Sequence, residues 1–157
     1  MKKLLIALVA IAFLTTAAFA GSTDTQTVYY EIDAINELVF GDDTTLTMDT
    51  ATAGDEPFHD FKYPTYNITT NEAAKKLTAS INATMPNRVY FRVKAEAPTG
   101  ASSTGLQYMN TTAKNLVTGI ETVVESGITY TLNTYAYADA GLPPDGSRVI
   151  TFTLCDE

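Results

Sequence analysis

His59 is the only histidine in the chain and Cys155 the only cysteine. Between them they decide most of what chemistry is open to it. Nucleophilic catalysis needs a base within hydrogen-bond reach of its nucleophile. His59 sits in a polar stretch, and no G-x-S-x-G turn presents a serine anywhere in the sequence. It reads as a surface residue, and the chain reads as no enzyme. Zinc takes three or four His, Cys or carboxylate ligands. One His and one Cys, far apart, do not supply them, and no cofactor is expected. A lone cysteine leaves no internal disulfide to form. Cys155 is then either a free thiol or one half of a bridge between chains.

Carboxylates are more plentiful. Asp42, Asp43, Asp55, Glu56 and Asp60 cluster in or near one long polar stretch with His59. Calcium takes six or more converging oxygens, but the spacing here follows no EF-hand pattern, so a solvated acidic loop is the expected reading. No pair of carboxylates is singled out for glycoside hydrolysis. Tyr29, Tyr90, Tyr135 and Tyr137 fall in the outward phase of strand-like runs. They could stack on sugar rings, or pair with one another across a sheet face. A carbohydrate-binding module, calcium-dependent in one version, is therefore the alternative function. Asn67, Asn82 and Asn110 each begin an N-x-T sequon that could carry a glycan.

The elements that must position these residues begin with a leader. Lys2 and Lys3 precede an apolar run over residues 4–14, and Ala18-Phe19-Ala20 ends the segment on small residues. That is the form of a cleaved signal peptide over residues 1–20. The run is short of the roughly 18 to 20 residues that span a bilayer. Residues 21–157 form one expected domain, with eight basic against 18 acidic residues and a formal charge of −10. Such a surface repels nucleic acid and anionic lipid. The product is expected to be exported, to the cell surface, the medium or the periplasm, and not to be an integral membrane protein.

Period-2 alternation recurs along that domain. The best-patterned run is residues 88–97. Val89, Phe91, Val93 and Ala95 point one way, while Arg88, Tyr90, Arg92, Lys94 and Glu96 point the other. Residues 76–81 alternate as cleanly. Residues 27–40 form the longest strand-like run, with a phase slip near residues 33–36 that predicts a bulge. Short strands are also expected at 45–48, 66–70, 106–109 and 127–138, and a short strand or a turn at 115–120. A turn, helical in one reading, is expected at 71–75. Residues 49–64 read as the longest loop, with Phe58 and Phe61 tucked onto a sheet edge. Residues 147–154 give a closing strand with Ile150, Phe152 and Leu154 on one face. Pro143-Pro144-Asp145-Gly146 makes it a hairpin partner of 127–138. About eight to ten short strands separated by turn signals predict an all-β, antiparallel, Ig-like β-sandwich.

Two segments carry a resemblance. Glu37-Leu38-Val39-Phe40-Gly41, followed by a Thr-rich strand and Asn67-Ile68-Thr69-Thr70, resembles the opening of WxL-type and spore-coat-U-type domains. Residues 145–153, Asp-Gly-Ser-Arg-Val-Ile-Thr-Phe-Thr, are similar to the close of spore-coat-U-type and related fimbrial subunits. The WxL tryptophans and the pilin-type disulfide cysteines are missing. The resemblance implies a surface β-sandwich of the kind that assembles into fibres, and it supplies no functional residue. The expected function is a structural or adhesive surface protein, a subunit of an extracellular fibre or coat. It would assemble by strand addition, through self-association or with other surface proteins. The donor would be residues 21–40, and the closing strand would belong to the acceptor edge.

Overall fold

The computed structural model describes residues 23–47, 59–123, 130–138 and 146–157. The leader, Asp55, Glu56, Phe58 and residues 143–145 of the Pro-Pro-Asp-Gly turn lie outside those residues. The chain divides into two compact units, Met1–Ile32 and Asp33–Glu157. In the first, residues 23–32 belong to no strand, and Val28, Tyr29, Tyr30 and Ile32 are exposed.

The second unit is an antiparallel β-sandwich. Its strands are β1 (Asn36–Phe40), β2 (His59–Lys62), β3 (Thr65–Thr70), β4 (Lys75–Ile81), β5 (Val89–Ala95), β6 (Ser102–Ser103), β7 (Gln107–Tyr108), β8 (Lys114–Ile120), β9 (Tyr130–Ala138) and β10 (Ile150–Asp156). One sheet runs β1-β3-β9-β5-β7. In it β2 pairs with β9 beyond the point where β3 leaves off, so β2 and β3 are one strand interrupted at Tyr63-Pro64. Pro64 has no N–H to give the ladder, which accounts for the break. The other sheet runs β10-β4-β8-β6.

Alternation fills the space between the sheets. Tyr66 and Ile68 of β3, Phe91, Val93 and Ala95 of β5, and Tyr130, Leu132 and Ala136 of β9 turn inward from one side. Leu77, Ala79 and Ile81 of β4 and Leu116, Val117 and Ile120 of β8 meet them from the other. Burying side chains of this size is worth about 1.5–3 kcal/mol each, and here no disulfide assists them. The buried Tyr66 hydroxyl donates to the Glu96 carbonyl, pinning β3 to the chain just past β5. Burial is the main cause that pushes its pKa well above the usual phenol range, with Tyr130 and Glu96 adding to it.

Several expectations need correction. The closing strand does not form a hairpin with the 127–138 strand. Both sides of β9 are occupied, by β2 and β3 on one and β5 on the other, and β10 pairs with β4 along its whole length in the second sheet. The run at 27–40 shortens to β1 without the expected bulge. β1 pairs Asn36 to Phe40 with Thr70 to Tyr66, and beyond Thr70 its partner turns away. There Asn71 ends the ladder, its side chain accepting from the Ile35 N–H at 2.8 Å and donating to the Asp33 carbonyl at 2.8 Å. The loop expected at 49–64 contains β2. Residues 45–47 join no strand, although Leu46 packs on the core, and residues 71–74 bend without helix. Phe61 is exposed instead of tucked onto an edge.

Candidate functional site

Five edge strands bound the two sheets, and they are not alike: β2, four residues long, has β9 alone as its neighbour. β6 and β7 are two residues each. β10 is seven residues long and β1 is five. The two long edges lie on the same side of the sandwich, where the Phe40 and Phe152 rings stack with centroids 3.9 Å apart and planes at 21°. Among the described residues, no strand pairs with the outer side of either.

The backbone parity of β10 follows from its ends. Val149 accepts from Asn82 N–H at 3.0 Å, and Glu157 N–H donates to Ala74 at 3.0 Å, both toward β4. In an antiparallel ladder the backbone groups alternate sides. Ile150, Phe152, Leu154 and Asp156 therefore turn their N–H and C=O groups to the open edge. The same first three residues carry the apolar side chains that face the core. Those side chains are only partly covered, as are Leu38 and Phe40 of β1. Among the described residues, the row has an apolar floor, backbone groups that meet no strand, and no segment laid over it. Native sheets usually blunt such an edge with Lys, Pro or a bulge, and β10 carries none before Asp156.

Both ends of this strand are clamped. At its start the Arg148 guanidinium donates to the carbonyls of Ala83 at 3.1 Å and Thr84 at 2.6 Å, and Asn82 accepts from Val149 N–H at 3.1 Å. At its end the buried Lys75 ammonium donates to Asp156 and stands 2.8 Å from Glu72. Glu72 also accepts from the Asn36 amide at 2.6 Å, which ties the start of β1 to the same cluster. Gly119, at φ +66° beside a register shift between β4 and β8, donates its N–H to Glu157. The Lys75 bond holds the Asp156 carboxyl below the usual carboxylate range. Glu72 is lowered by Asn36 first and Lys75 second, and Lys75 is raised by Asp156 and then Glu72.

The other residues singled out from the sequence are scattered. His59 is exposed on β2, its ring 6.5 Å from that of Phe61. Asp60 accepts from Thr47 N–H at 2.8 Å, which holds its carboxyl low and ties residue 47 to β2. Among the described residues, no three His, Cys, Asp or Glu side chains gather as a metal site. Cys155 is half-buried on β10, opposite Lys76. Asn67 and Asn82 are exposed, and Asn110 accepts from Thr112 N–H at 2.8 Å. Tyr90 packs on Tyr108, while Tyr135 and Tyr137 occupy register positions beside β2 and β5. Sequence reasoning missed Lys75, Glu72 and Asp156, because no local pattern links a lysine to a carboxylate 81 residues away. It also missed the row His59, Phe61 and Tyr63. The H-x-F-x-Y spacing was legible but lay between Pro57 and Pro64, which read as loop.

No family model matches this chain, and no curated protein matches it.

Proposed function

We propose that this protein is a structural subunit of an extracellular fibre or coat, assembled by strand addition. Residues 27–32 of one copy lie along the β10 edge of the next. One observation carries this reading. The acceptor row Ile150, Phe152, Leu154 has the same two-residue spacing as Val28, Tyr30 and Ile32, which are 74%, 85% and 72% exposed in a stretch that joins no strand. Both rows span about 13 Å at the strand rise of roughly 3.3 Å per residue. Added at that edge, the donor would satisfy the outward backbone groups of β10 and set its apolar row beside the half-covered one. Export is supported by the Lys2-Lys3 start, the apolar run and Ala18-Phe19-Ala20. The test is size-exclusion chromatography with light scattering, and negative-stain microscopy, on residues 21–157 and on a form lacking residues 21–32. The expected result is concentration-dependent oligomers or filaments from the first and monomers from the second. A strict monomer at every concentration, unchanged by the deletion, overturns the proposal.

A further inference from the structure

The water-facing side of the first sheet carries a second surface, which strand addition does not use. His59, Phe61 and Tyr63 alternate with Asp60 and Lys62, so their side chains share one face. The His59 and Phe61 rings are within 15° of parallel, and Phe61 meets Tyr63 edge-on with centroids 5.5 Å apart. Across β9, Tyr90 meets Tyr108 at 6.3 Å, and the Arg92 guanidinium carbon lies 5.2 Å from the Tyr108 ring centroid. Register sets Tyr137 between His59 and Tyr90, and Tyr135 between Phe61 and Arg92. Aromatic positions thus run in rows across the sheet. Phe61, Tyr63 and Tyr108 are 48%, 59% and 52% exposed. A cluster of exposed rings of this kind marks an interaction surface.

Beside Tyr63 the face dips into an open groove of about 490 Å³, lined by Tyr63, Lys94, Glu96, Ala97, Ser103 and Thr131. Its polar groups are fixed in place. The Glu96 carboxylate accepts from Thr131 N–H at 3.1 Å, and the Ser103 hydroxyl donates to the Ala95 carbonyl at 2.6 Å. The Ser103 hydroxyl also accepts from Gly105 N–H at 3.3 Å, which leaves it one lone pair; that lone pair, the carboxylate's two oxygens and the ammonium's three donors retain capacity for a ligand.

We propose that this face binds a neutral polysaccharide chain. Tyr63 stacks on one sugar ring. Lys94, Glu96 and Ser103 hydrogen-bond its hydroxyls, and Phe61 and His59 extend the platform along the chain. A sugar presents an apolar ring face with a rim of hydroxyls, and the groove supplies an aromatic plane beside donors and acceptors. A protein hot spot is a desolvated, well-packed pocket, whereas this groove is open to solvent and carries the charged and hydroxyl side chains of Lys94, Glu96, Ser103 and Thr131 along its lining. Single-stranded nucleic acid also stacks on aromatic rows, but along a positive groove. Here Lys94 is matched by Glu96, and the whole chain carries a formal charge of −8. Rings two residues apart on a strand repeat at about 6.6 Å, which suits an extended polymer.

Titration calorimetry with cellohexaose and chitohexaose, and with hexagalacturonate as the anionic comparator, tests this. Binding of at least one neutral hexamer is expected. Tyr63→Ala should weaken it about tenfold, Tyr63→Phe should leave it close to wild type, and Thr153→Glu on the other sheet should not change it. Melting curves confirm that each variant is folded. Lack of binding by both neutral hexamers, tighter binding of hexagalacturonate than of either, or indifference to Tyr63→Ala would each overturn the proposal. None of these outcomes depends on whether the chain polymerises.

Discussion

Tyr30→Asp places a carboxylate in the middle of the donor row. A copy carrying it should be unable to donate while its own β10 edge still accepts. Leu154→Pro does the reverse. By the parity of β10 the Leu154 N–H faces the open edge, so proline removes an outward donor and breaks no bond to β4. Neither variant should assemble alone. Mixed, they should form a one-to-one heterodimer and stop there, because only one competent donor and one competent acceptor are present. The size of the donor effect follows from burial. Tyr30 is exposed in the free chain, and covering a side chain of its size is worth about 2 kcal/mol. Tyr30→Ala should therefore weaken association about thirtyfold. The aspartate adds the cost of burying a charge and should abolish association at accessible concentrations. Light scattering and native mass spectrometry read the outcome. If Leu154→Pro lowers the melting temperature strongly, Thr151→Glu with Thr153→Glu replaces it, setting carboxylates on the same face as the donor's Glu31 across the new ladder. A mixture of folded variants that stays monomeric refutes the reasoning. So does a monomeric wild type whose melting temperature falls with Tyr30→Asp, since the segment would then lie on its own edge.

Three further predictions concern the fold. Leu116→Ala, in the fully buried core, should cost about 2–5 kcal/mol by urea denaturation, whereas Phe61→Ala on the water face should cost about 0.5 kcal/mol or less. Acid should loosen the β10 clamp. The folded pKa values of Asp156 and Glu72 are depressed, so their contribution is present above the unfolded values near 4 and is lost as pH falls through the folded ones. Lys75 is raised, so its contribution is full below about 10.5 and is lost at still higher pH. Melting temperature against pH should show both losses, and Asp156→Asn should shrink the acid one. Ala74 holds φ +55° where β4 begins, a conformation that costs a non-glycine residue about 1 kcal/mol, so Ala74→Gly should raise stability by about that much.

Alternation made the central strands legible. β5 could be placed because Val89, Phe91, Val93 and Ala95 alternate with Arg92 and Lys94, and β4 because Leu77, Ala79 and Ile81 do the same with polar neighbours. Alternation measures whether a segment can be a strand and is silent on which strand it meets. Residues 27–32 have the pattern and, among the described residues, join no strand. β10 has the pattern, and the turn before it points to the 127–138 strand, whereas packing places it beside β4. The same limit applies to the candidate site. Ile150, Phe152 and Leu154 could be read as one face, but that the edge beside them is open depends on how both sheets end. The Lys75 cluster depends on three segments meeting, those of Asn36, of Glu72 with Lys75, and of Asp156.

The clamps matter because strand addition is governed by ordering costs. Fixing a backbone residue costs about 1–2 kcal/mol, so two mobile strands pairing would pay twice over the length of the contact. Here the acceptor is already ordered. β10 is bonded to β4 from Ile150 to Asp156 and tied down beyond both ends, by Arg148 at one and by Lys75, Ala74 and Gly119 at the other. Only the donor has conformational freedom left to lose. A clamped edge also keeps its register. A one-residue slip would turn Val28, Tyr30 and Ile32 out to water, and an acceptor that cannot shift leaves the donor only alignments that keep the two apolar rows on the same face. The short β2, β6 and β7 edges offer no comparable template, so under the proposed strand addition growth would use the β1–β10 side.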